Sequence, residues 1–412
     1  MQLQRGDVAY FVGIGGIGMS ALAQLYHARG IQVLGSDREA SVTTAMLEEK
    51  GIEVFVGHGA LNVPDTAALV VYSDAVAEDN PERMRARERG IPEQSYFEAL
   101  GDVSRDMTTI AVAGTHGKTT TTAMLAKILV DAGKNPTAII GSLIKDFGSN
   151  FVPGDPNLLV VEACEYRDHL LELSPQYLVI TNIEWDHTDW FKTEDDMRRT
   201  FQRAIDAVPD DGKVIDASVY RTEPDYELSL IGEFNKDNAR AASAAARAAF
   251  PDISESQIRE SLKNFQGSWR RFEYRGVSKN GALLYDDYAH HPTAVSKTLD
   301  AVREKFPHLR VAVAFHPHLF SRTRDFMEGF AESLAKADEV LIAPIYPARE
   351  EPIPGVTSDV LAERVRAHGG SAQAVSSLRE VGEKLASFGE GTLVLTMGAG
   401  DIYRVIEHLM AP

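Results

Sequence analysis

Two glycine-rich loops carry the residues of this chain best suited to chemistry. Gly114-Thr115-His116-Gly117-Lys118-Thr119 follows the apolar run 110–113 and precedes a helical pattern. A loop of this kind gathers backbone N–H groups around the β- and γ-phosphates of a nucleoside triphosphate. Lys118 supplies a point charge and the Thr119 hydroxyl a ligand to Mg²⁺, while Thr120 continues into the first helical turn. The spacing departs from G-x₄-G-K-[ST], because the first glycine stands three residues before Gly117. A second loop, Gly13-Ile14-Gly15-Gly16-Ile17-Gly18, matches G-x-G-x-x-G between a strand and a helix. Asp37 follows about 20 residues on, where a ribose-binding acid sits. Amides at a helix start bind a diphosphate whatever nucleoside carries it, so this loop suits NAD and a UDP-sugar equally. Two phosphate loops point to one anchored and one reacting nucleotide.

The elements that position these loops fall into three segments of alternating strands and helices. The first has strands at 8–12, 31–34 and 68–72 and an amphipathic helix at about 19–29, a βαβ pattern that predicts a parallel sheet. The second has buried-type strands at 110–113, 158–161 and 177–180 and an alanine-rich helix at 239–250. The third has strands at 283–285, 311–314, 340–343 and 393–395. Polar residues 101–108 read as one linker and 265–268 as another, with domain closure expected across both. The expected architecture is α/β, with three consecutive domains: Rossmann-like 1–106, a shortened P-loop ATPase-like 107–267, and Rossmann-like 268–412.

Composition narrows the class. Forty-two basic against 60 acidic residues leave a net charge of −18, a surface that repels nucleic-acid phosphates and anionic lipid. Cys164 is the single cysteine, which excludes an intramolecular disulfide and a multi-cysteine zinc site. No run approaches the roughly 20 apolar residues that span a bilayer, and the start at Met1 lacks a signal peptide's apolar stretch. The expectation is a cytoplasmic monomer or homodimer with neither nucleic acid nor membrane insertion.

The residues at 111–122, Ala-Val-Ala-Gly-Thr-His-Gly-Lys-Thr-Thr-Thr-Thr, together with the loop at 13–19, resemble the Mur ligase family, most of all its alanine-adding branch. The likeness recurs in order along nearly the whole chain. It includes Asn80-Pro-Glu82, Thr181-Asn-Ile-Glu-Trp-Asp-His187, Arg270-Arg-Phe272 and Asp286-Asp-Tyr-Ala-His-His-Pro292. It continues with Pro317-His-Leu-Phe-Ser-Arg-Thr-Arg324 and Tyr346-Pro-Ala-Arg-Glu-Glu-Pro-Ile-Pro354.

The resemblance implies an ATP-dependent, Mg²⁺-requiring ligase. A substrate carboxylate attacks the γ-phosphate of ATP, and an amino acid's amine then displaces phosphate from the acyl phosphate. The implied substrates are UDP-N-acetylmuramate and L-alanine. Gly15, Gly16, Ile17, Gly18, Asp37 and Ser73 then hold the UDP-sugar, and Glu162 and His187 join Thr119 at metal ions. Lys118 and the pair Arg270-Arg271 neutralise charge on the γ-phosphate. Asn235 and Asn238 match adenine-contacting asparagines, although asparagine before an alanine-rich helix also serves as an N-cap. Asp287 and His291 match a motif that closes over the nucleotide. His318 and Arg322 match residues that hold the amino acid, a guanidinium fork being suited to an α-carboxylate. His187 could instead orient substrate, since imidazole is an uncommon Mg²⁺ ligand. Arg324 is a solvated or paired arginine or a neighbour of that site, and 346–354 reads as a rigid proline-rich loop.

Some family members carry a carbamylated lysine downstream of the Asp-His. Here 195–202 reads Asp-Asp-Met-Arg-Arg-Thr-Phe-Gln, without lysine, which fits the alanine-adding branch. Departures from the family pattern are Cys164, Tyr166 and Arg167 after Glu162, Phe234 before the first asparagine, Leu319 after His318, and Tyr72-Ser-Asp74 near the sugar site. The stretch 214–232 is short for a central domain. The signature at 317–324 favours the alanine-adding branch over the branch that recycles a tripeptide, which stays the nearest alternative. An NAD-dependent dehydrogenase leaves the loop at 114–119 without a role, and the departures admit a non-catalytic relative.

Overall fold

Unbroken apolar runs become strands covered by helices, and glycine turns open at the strands' carboxyl ends. The computed structural model describes residues 3–220, 225–348 and 350–410. It contains three α/β sheets, as the sequence pattern implies. The first orders its parallel strands Glu53–Val56, Gln32–Asp37, Val8–Val12, Ala67–Tyr72 and Glu93–Ser95. Val8–Val12 is buried along its length, as a strand covered on both faces must be. The strand order reverses between Val8–Val12 and Ala67–Tyr72, and the loop at Gly13–Gly18 and Ser73 emerge at that crevice, where open α/β sheets bind ligands.

The second sheet runs Lys213–Asp216, Tyr177–Ile180, Thr108–Ala113, Asp155–Glu162, Pro136–Ile144, Ser149–Val152, and its last pair is antiparallel. The third runs Glu273–Val277, Leu283–Asp287, Thr392–Met397, Arg310–Phe315, Glu339–Ile342, Ala372–Ala374, with an antiparallel pair at the Glu273–Val277 edge. By its contacts the chain divides into two compact units. One comprises Met1–Ile183, Arg198–Glu227 and Asp237–Gln266 and carries the first two sheets; the other comprises Glu184–Met197, Leu228–Lys236 and Gly267–Pro412 and carries the third.

Within the first unit, a buried polar seam joins the two sheets. Asn150, fully buried, donates Nδ2 to the Ile17 carbonyl at 2.5 Å and to Ser20 Oγ at 2.9 Å, and accepts from Gln24 Nε2 at 3.0 Å. Ser149 Oγ donates to Gln24 Oε1 at 3.1 Å. The hairpin of the second sheet therefore rests on helix Ile17–Ala28, the helix that begins at the diphosphate loop.

Residues 101–108 are not a linker. They complete helix Tyr96–Arg105 and begin strand Thr108–Ala113. Ala99, Leu100 and Val103 bury one face of that helix, a 3.6-residue periodicity that the interspersed polar residues obscure. At Gly101 a Cβ would lie 2.5 Å from the Glu172 carbonyl oxygen, so the glycine permits close helix packing. Residues 265–268 are irregular, and the second unit resumes at Gly267. The short stretch 214–232 includes 221–224, which lie outside the described residues; its described part ends the second sheet at the edge strand Lys213–Asp216.

Candidate active site

Steric necessity shapes the loop at 114–119. Gly114 has φ 129°, and a Cβ there would stand 2.0 Å from Thr181 Oγ1; Gly117 has φ 83°, and its Cβ would meet Asn238 Oδ1 at 2.1 Å. Both positions exclude a side chain on conformation and on space. Asn182 pins the loop from the neighbouring strand end. Its carbonyl accepts the Thr115 N–H at 3.0 Å, its Oδ1 accepts the His116 N–H at 3.0 Å, and its Nδ2 donates to the His116 carbonyl at 2.9 Å. Thr115 and His116 thus shape the cradle with amides that bond to Asn182. Helix Lys118–Asp131 opens directly after Gly117 with no side-chain cap bond, the kind of helix start that suits an anion.

Lys118 Nζ donates to the Gly114 carbonyl at 2.5 Å and meets Glu165 Oε1 and Oε2 at 2.9 and 2.8 Å. Burial alone would depress the lysine's pKa; the carboxylates of Glu165 and Glu162, with Cys164 nearby, outweigh it and hold the ammonium above its ordinary range. Thr119 Oγ1 donates to Glu162 Oε1 at 3.0 Å, and Gly141 N–H donates to Glu162 Oε2 at 2.8 Å. A Cβ at Gly141 would lie 2.5 Å from that carboxylate, so this strand glycine also makes room for the site. Burial, then Glu165, pushes the Cys164 thiol up to about 12, which leaves it protonated and inert near neutral pH.

The diphosphate loop has its own acid. Gly15 N–H donates to Asp37 Oδ2 at 2.8 Å, so Asp37 braces the loop. Thr43 Oγ1 donates to the Gly15 carbonyl, and Ser73 N–H donates to the Val12 carbonyl at 3.0 Å. A Cβ at Gly18 would lie 2.7 Å from the Tyr96 ring. Burial, then Glu162 and Cys164, raises the Tyr96 phenol, so one ring spans from the diphosphate loop towards Glu162.

Asn235 and Asn238 lie inside helix Glu233–Ala249, which rules out the N-cap alternative. Asn238 belongs to the first unit and accepts from Thr121 Oγ1 at 3.4 Å. Asn235 belongs to the second and donates Nδ2 to the Ile231 carbonyl at 2.7 Å.

The second unit gathers Asp186, His187, His290, His291, His318 and Arg322. Arg322 Nε donates to Asp186 Oδ1 at 2.9 Å, and Arg322 Nη1 lies 3.4 Å from His318 Nδ1. Burial opposes the charge of Asp186, but Arg322, then His187, hold its carboxyl well below the usual range. Burial, then Arg322, keeps His290 neutral. His187 takes φ 51°, and its carbonyl accepts from Trp190 N–H at 2.8 Å. His291 caps helix Pro292–Lys305 through Nδ1 at 3.3 Å from Thr293 N, and its Nε2 donates to the Trp185 carbonyl at 3.2 Å. Asp287 accepts N–H groups of Phe272 and Ala289, each at 2.7 Å, and burial pushes its carboxyl up to about 6.

The two arginines of the Arg270-Arg271 pair have different tasks. Arg270, 3% exposed, donates Nε to Asp286 Oδ2 at 2.7 Å, Nη2 to the Gly398 carbonyl at 2.6 Å and Nη1 to the Gly400 carbonyl at 3.2 Å. Its fork is committed to the fold, which corrects its assignment to phosphate. Arg271 packs over the Tyr288 ring at 5.2 Å and is the member of the pair left as a candidate phosphate ligand. Arg324 is an exposed arginine bonded to Asp325. In the proline-rich loop, Tyr346 pairs with His318 across an isolated bridge, while Arg349 lies outside the described residues.

Three family descriptions match in succession: "Mur ligase family, catalytic domain" over residues 8–108, "Mur ligase middle domain" over 112–221, and "Mur ligase, glutamate ligase domain" over 270–400. The chain belongs to the Mur ligase family. This Mur ligase is 39% identical to the UDP-N-acetylmuramate–L-alanine ligase of Desulfitobacterium hafniense, over 97% of the chain and 99% of the relative. Among solved structures it is similar to the UDP-N-acetylmuramate–alanine ligase of Thermotoga maritima, with TM-score 0.82, 29% identity and 97% of each chain covered. It is also similar to a murein peptide ligase from Psychrobacter arcticus, with TM-score 0.72, 25% identity and 98% of each chain covered. The D. hafniense alignment extends over 448 residues against the 412 of this Mur ligase. The excess marks positions that the relative has and this chain lacks.

Sequence reasoning passed over Glu165, Gly141, Tyr96, Asn182 and Asp186 as working members of the site. Asn182 and Asp186 lay inside a quoted motif, and Glu165 lay in the segment noted for its departures. The signal available for Glu165 and Asp186 was an acid within three residues of a predicted site residue.

Proposed function

We propose that this chain is the ATP-dependent ligase that joins L-alanine to the carboxylate of UDP-N-acetylmuramate, releasing ADP and phosphate. The observation that carries the reading is the group Lys118, Thr119 and Glu162 at the mouth of a loop in which glycine is sterically required. It occurs in a chain that is 39% identical, end to end, to an enzyme named for that reaction.

In this reading Gly15, Gly16, Ile17 and Gly18 hold the diphosphate of the UDP-sugar, with Asp37 and Ser73 beside them. Gly114, Gly117, Lys118, Thr119 and Thr120 hold the ATP phosphates, and Thr115 and His116 shape the loop. Asn235, Asn238, Asp287 and His291 serve the nucleotide, Arg271 its phosphates, and His318 and Arg322 the amino acid. A sugar carboxylate oxygen forms a bond to the γ-phosphorus as the bond to the ADP oxygen breaks. The alanine nitrogen then bonds to the acyl carbon as phosphate and a proton leave. Lys118 offsets the charge of the transferring phosphoryl group.

The donor set suits Mg²⁺: Thr119 Oγ1 and Glu162 Oε1 are hard oxygen ligands 3.0 Å apart, and the Gly141 amide fixes the second carboxylate oxygen. His187 is the third proposed metal residue. When bound, Mg²⁺ supplies Lewis-acid stabilisation of phosphate charge. No helix among the described residues is long and apolar enough to cross a membrane, and we place the reaction in the cytoplasm.

The test is ADP release measured with each substrate omitted in turn. The reading predicts release that requires UDP-N-acetylmuramate and L-alanine together. Release only with a tripeptide in place of L-alanine identifies the recycling activity, and no release with either amine overturns both.

A further inference from the structure

The guanidinium of Arg322 is oriented by a residue from a different part of the sequence. Helix Phe320–Asp325 buries Arg322, and its Nε donates to Oδ1 of Asp186 at 2.9 Å; the two side chains are 4% and 5% exposed. The same Oδ1 accepts the His187 N–H at 2.7 Å, which fixes the carboxylate against its own backbone. Arg322 Nη1 lies 3.4 Å from His318 Nδ1, and the His318 ring stacks on Tyr346 with centroids 5.4 Å apart at 13°.

Asp186 lies on the strap Glu184–Met197, which belongs to the same unit as the third sheet. The strap is tied there at further points. Thr293 Oγ1 donates to Glu184 Oε1, His291 Nε2 donates to the Trp185 carbonyl at 3.2 Å, and the Trp185 ring packs on Phe326 at 5.5 Å. The carboxylate is therefore a rigid anchor. Arginine has several rotatable bonds, and a buried charge-assisted bond at Nε selects one orientation of its planar fork. Asp186 engages Nε, so the terminal Nη edge is a separate edge of the fork, with Nη1 3.4 Å from His318 Nδ1. That edge matches a planar two-oxygen anion such as an α-carboxylate.

We infer that Asp186 is a positioning residue for the incoming amino acid, holding the Arg322 fork so that its Nη edge receives the α-carboxylate and the amine is presented for attack. The inference rests on the assignment of Arg322 to the amino acid under the proposed function. A misplacement of about 1 Å at such a contact is enough to cost on the order of 100-fold in rate.

The experiment is steady-state kinetics of the full chain, its Asp186→Asn and Arg322→Lys variants, and the double variant, with L-alanine, ATP and UDP-N-acetylmuramate varied separately. Asp186→Asn is expected to lower kcat/KM for L-alanine by about tenfold or more while the KM values for ATP and UDP-N-acetylmuramate stay within about twofold. On the Arg322→Lys background it is expected to add less than about twofold, because the residue acts through the arginine. Equal losses for all three substrates, or multiplicative losses in the double variant, overturn the inference. Should Asp186→Asn fail to fold, Arg322→Lys reads the same pair, since lysine keeps the charge but lacks the Nε fork; an unchanged kcat/KM for L-alanine then overturns it. The cycle is read with whichever of L-alanine, glycine, L-serine or tripeptide supports turnover. Failure of L-alanine in the unaltered chain thus counts against the proposed function, and the cycle still decides Asp186.

Discussion

Removing the negative charge of Glu165 should weaken the ligand-free protein more than the nucleotide-bound one. Both Glu165 oxygens lie within 2.9 Å of Lys118 Nζ, and the two side chains are 1% and 14% exposed. At 2.8 Å and an effective dielectric constant of about 20, the gross attraction is about 6 kcal/mol. Desolvation of both ions offsets much of it, and breaking one side of a buried pair costs about 3–5 kcal/mol. Glu165→Gln keeps an oxygen acceptor, and Lys118 retains the carbonyls of Gly114 and Thr115, so the expected loss is about 2–3 kcal/mol. For a unit of this size that corresponds to about 5–10 °C in Tm. ATP phosphates supply the missing anion, so scanning calorimetry with a saturating Mg²⁺–ATP analogue should shrink the gap to less than half. An equal loss with and without nucleotide, or no loss in either state, would refute the view that Glu165 is the resting partner of Lys118.

Three further outcomes follow from the geometry. Gly117→Ala adds a Cβ 2.1 Å from Asn238 Oδ1 at φ 83°; the left-handed backbone costs about 1–2 kcal/mol and the clash more, so titration calorimetry should show ATP affinity falling by about tenfold or more. Asp287, raised by burial from 3.8 to about 6, binds its proton more tightly in the folded state, so its stabilising contribution is full below pH 3.8 and is lost as pH rises through 6. That lost contribution is about 3 kcal/mol, and chemical denaturation across pH 4–7 should show the unaltered chain losing stability relative to Asp287→Asn. Arg270→Lys should lower Tm by several degrees, because lysine cannot serve Asp286, Gly398 and Gly400 together; Arg271→Lys should lower Tm less and raise the KM for ATP.

Much of the fold was legible because it is built from unbroken apolar runs. Tyr177–Ile180 and Val8–Val12 lie at the very residues whose apolarity marks them, since strands covered on both faces need hydrophobes at every position. The strands that escaped sit at or near sheet edges, where half the surface is wet and the alternation is short. Glu53–Val56, Glu93–Ser95 and Ala372–Ala374 are examples; Pro136–Ile144 is largely buried and opens instead on a proline, which cannot donate. The glycines of the loop at 114–119 were legible for a physical reason: Gly114 and Gly117 leave no space for a Cβ.

The pairing of charges was not legible. Arg270 and Arg271 are adjacent and chemically alike, yet they meet different acids of strand Leu283–Asp287: Arg270 bonds Asp286, while the charge of Arg271 acts on Asp287. Asp186 and Arg322 stand 136 residues apart, a pairing that only tertiary structure reveals. Residues 101–108 misled because a half-buried helix mixes polar and apolar residues as a linker does.

The most direct test of the central claim follows the oxygen atoms. UDP-N-acetylmuramate labelled with ¹⁸O in its carboxylate is turned over with ATP and L-alanine, and the released phosphate is analysed by mass spectrometry. Because a carboxylate oxygen bonds to the γ-phosphorus and leaves with it, the account predicts one labelled oxygen in each phosphate released. Phosphate free of label, with amide product formed, would contradict it.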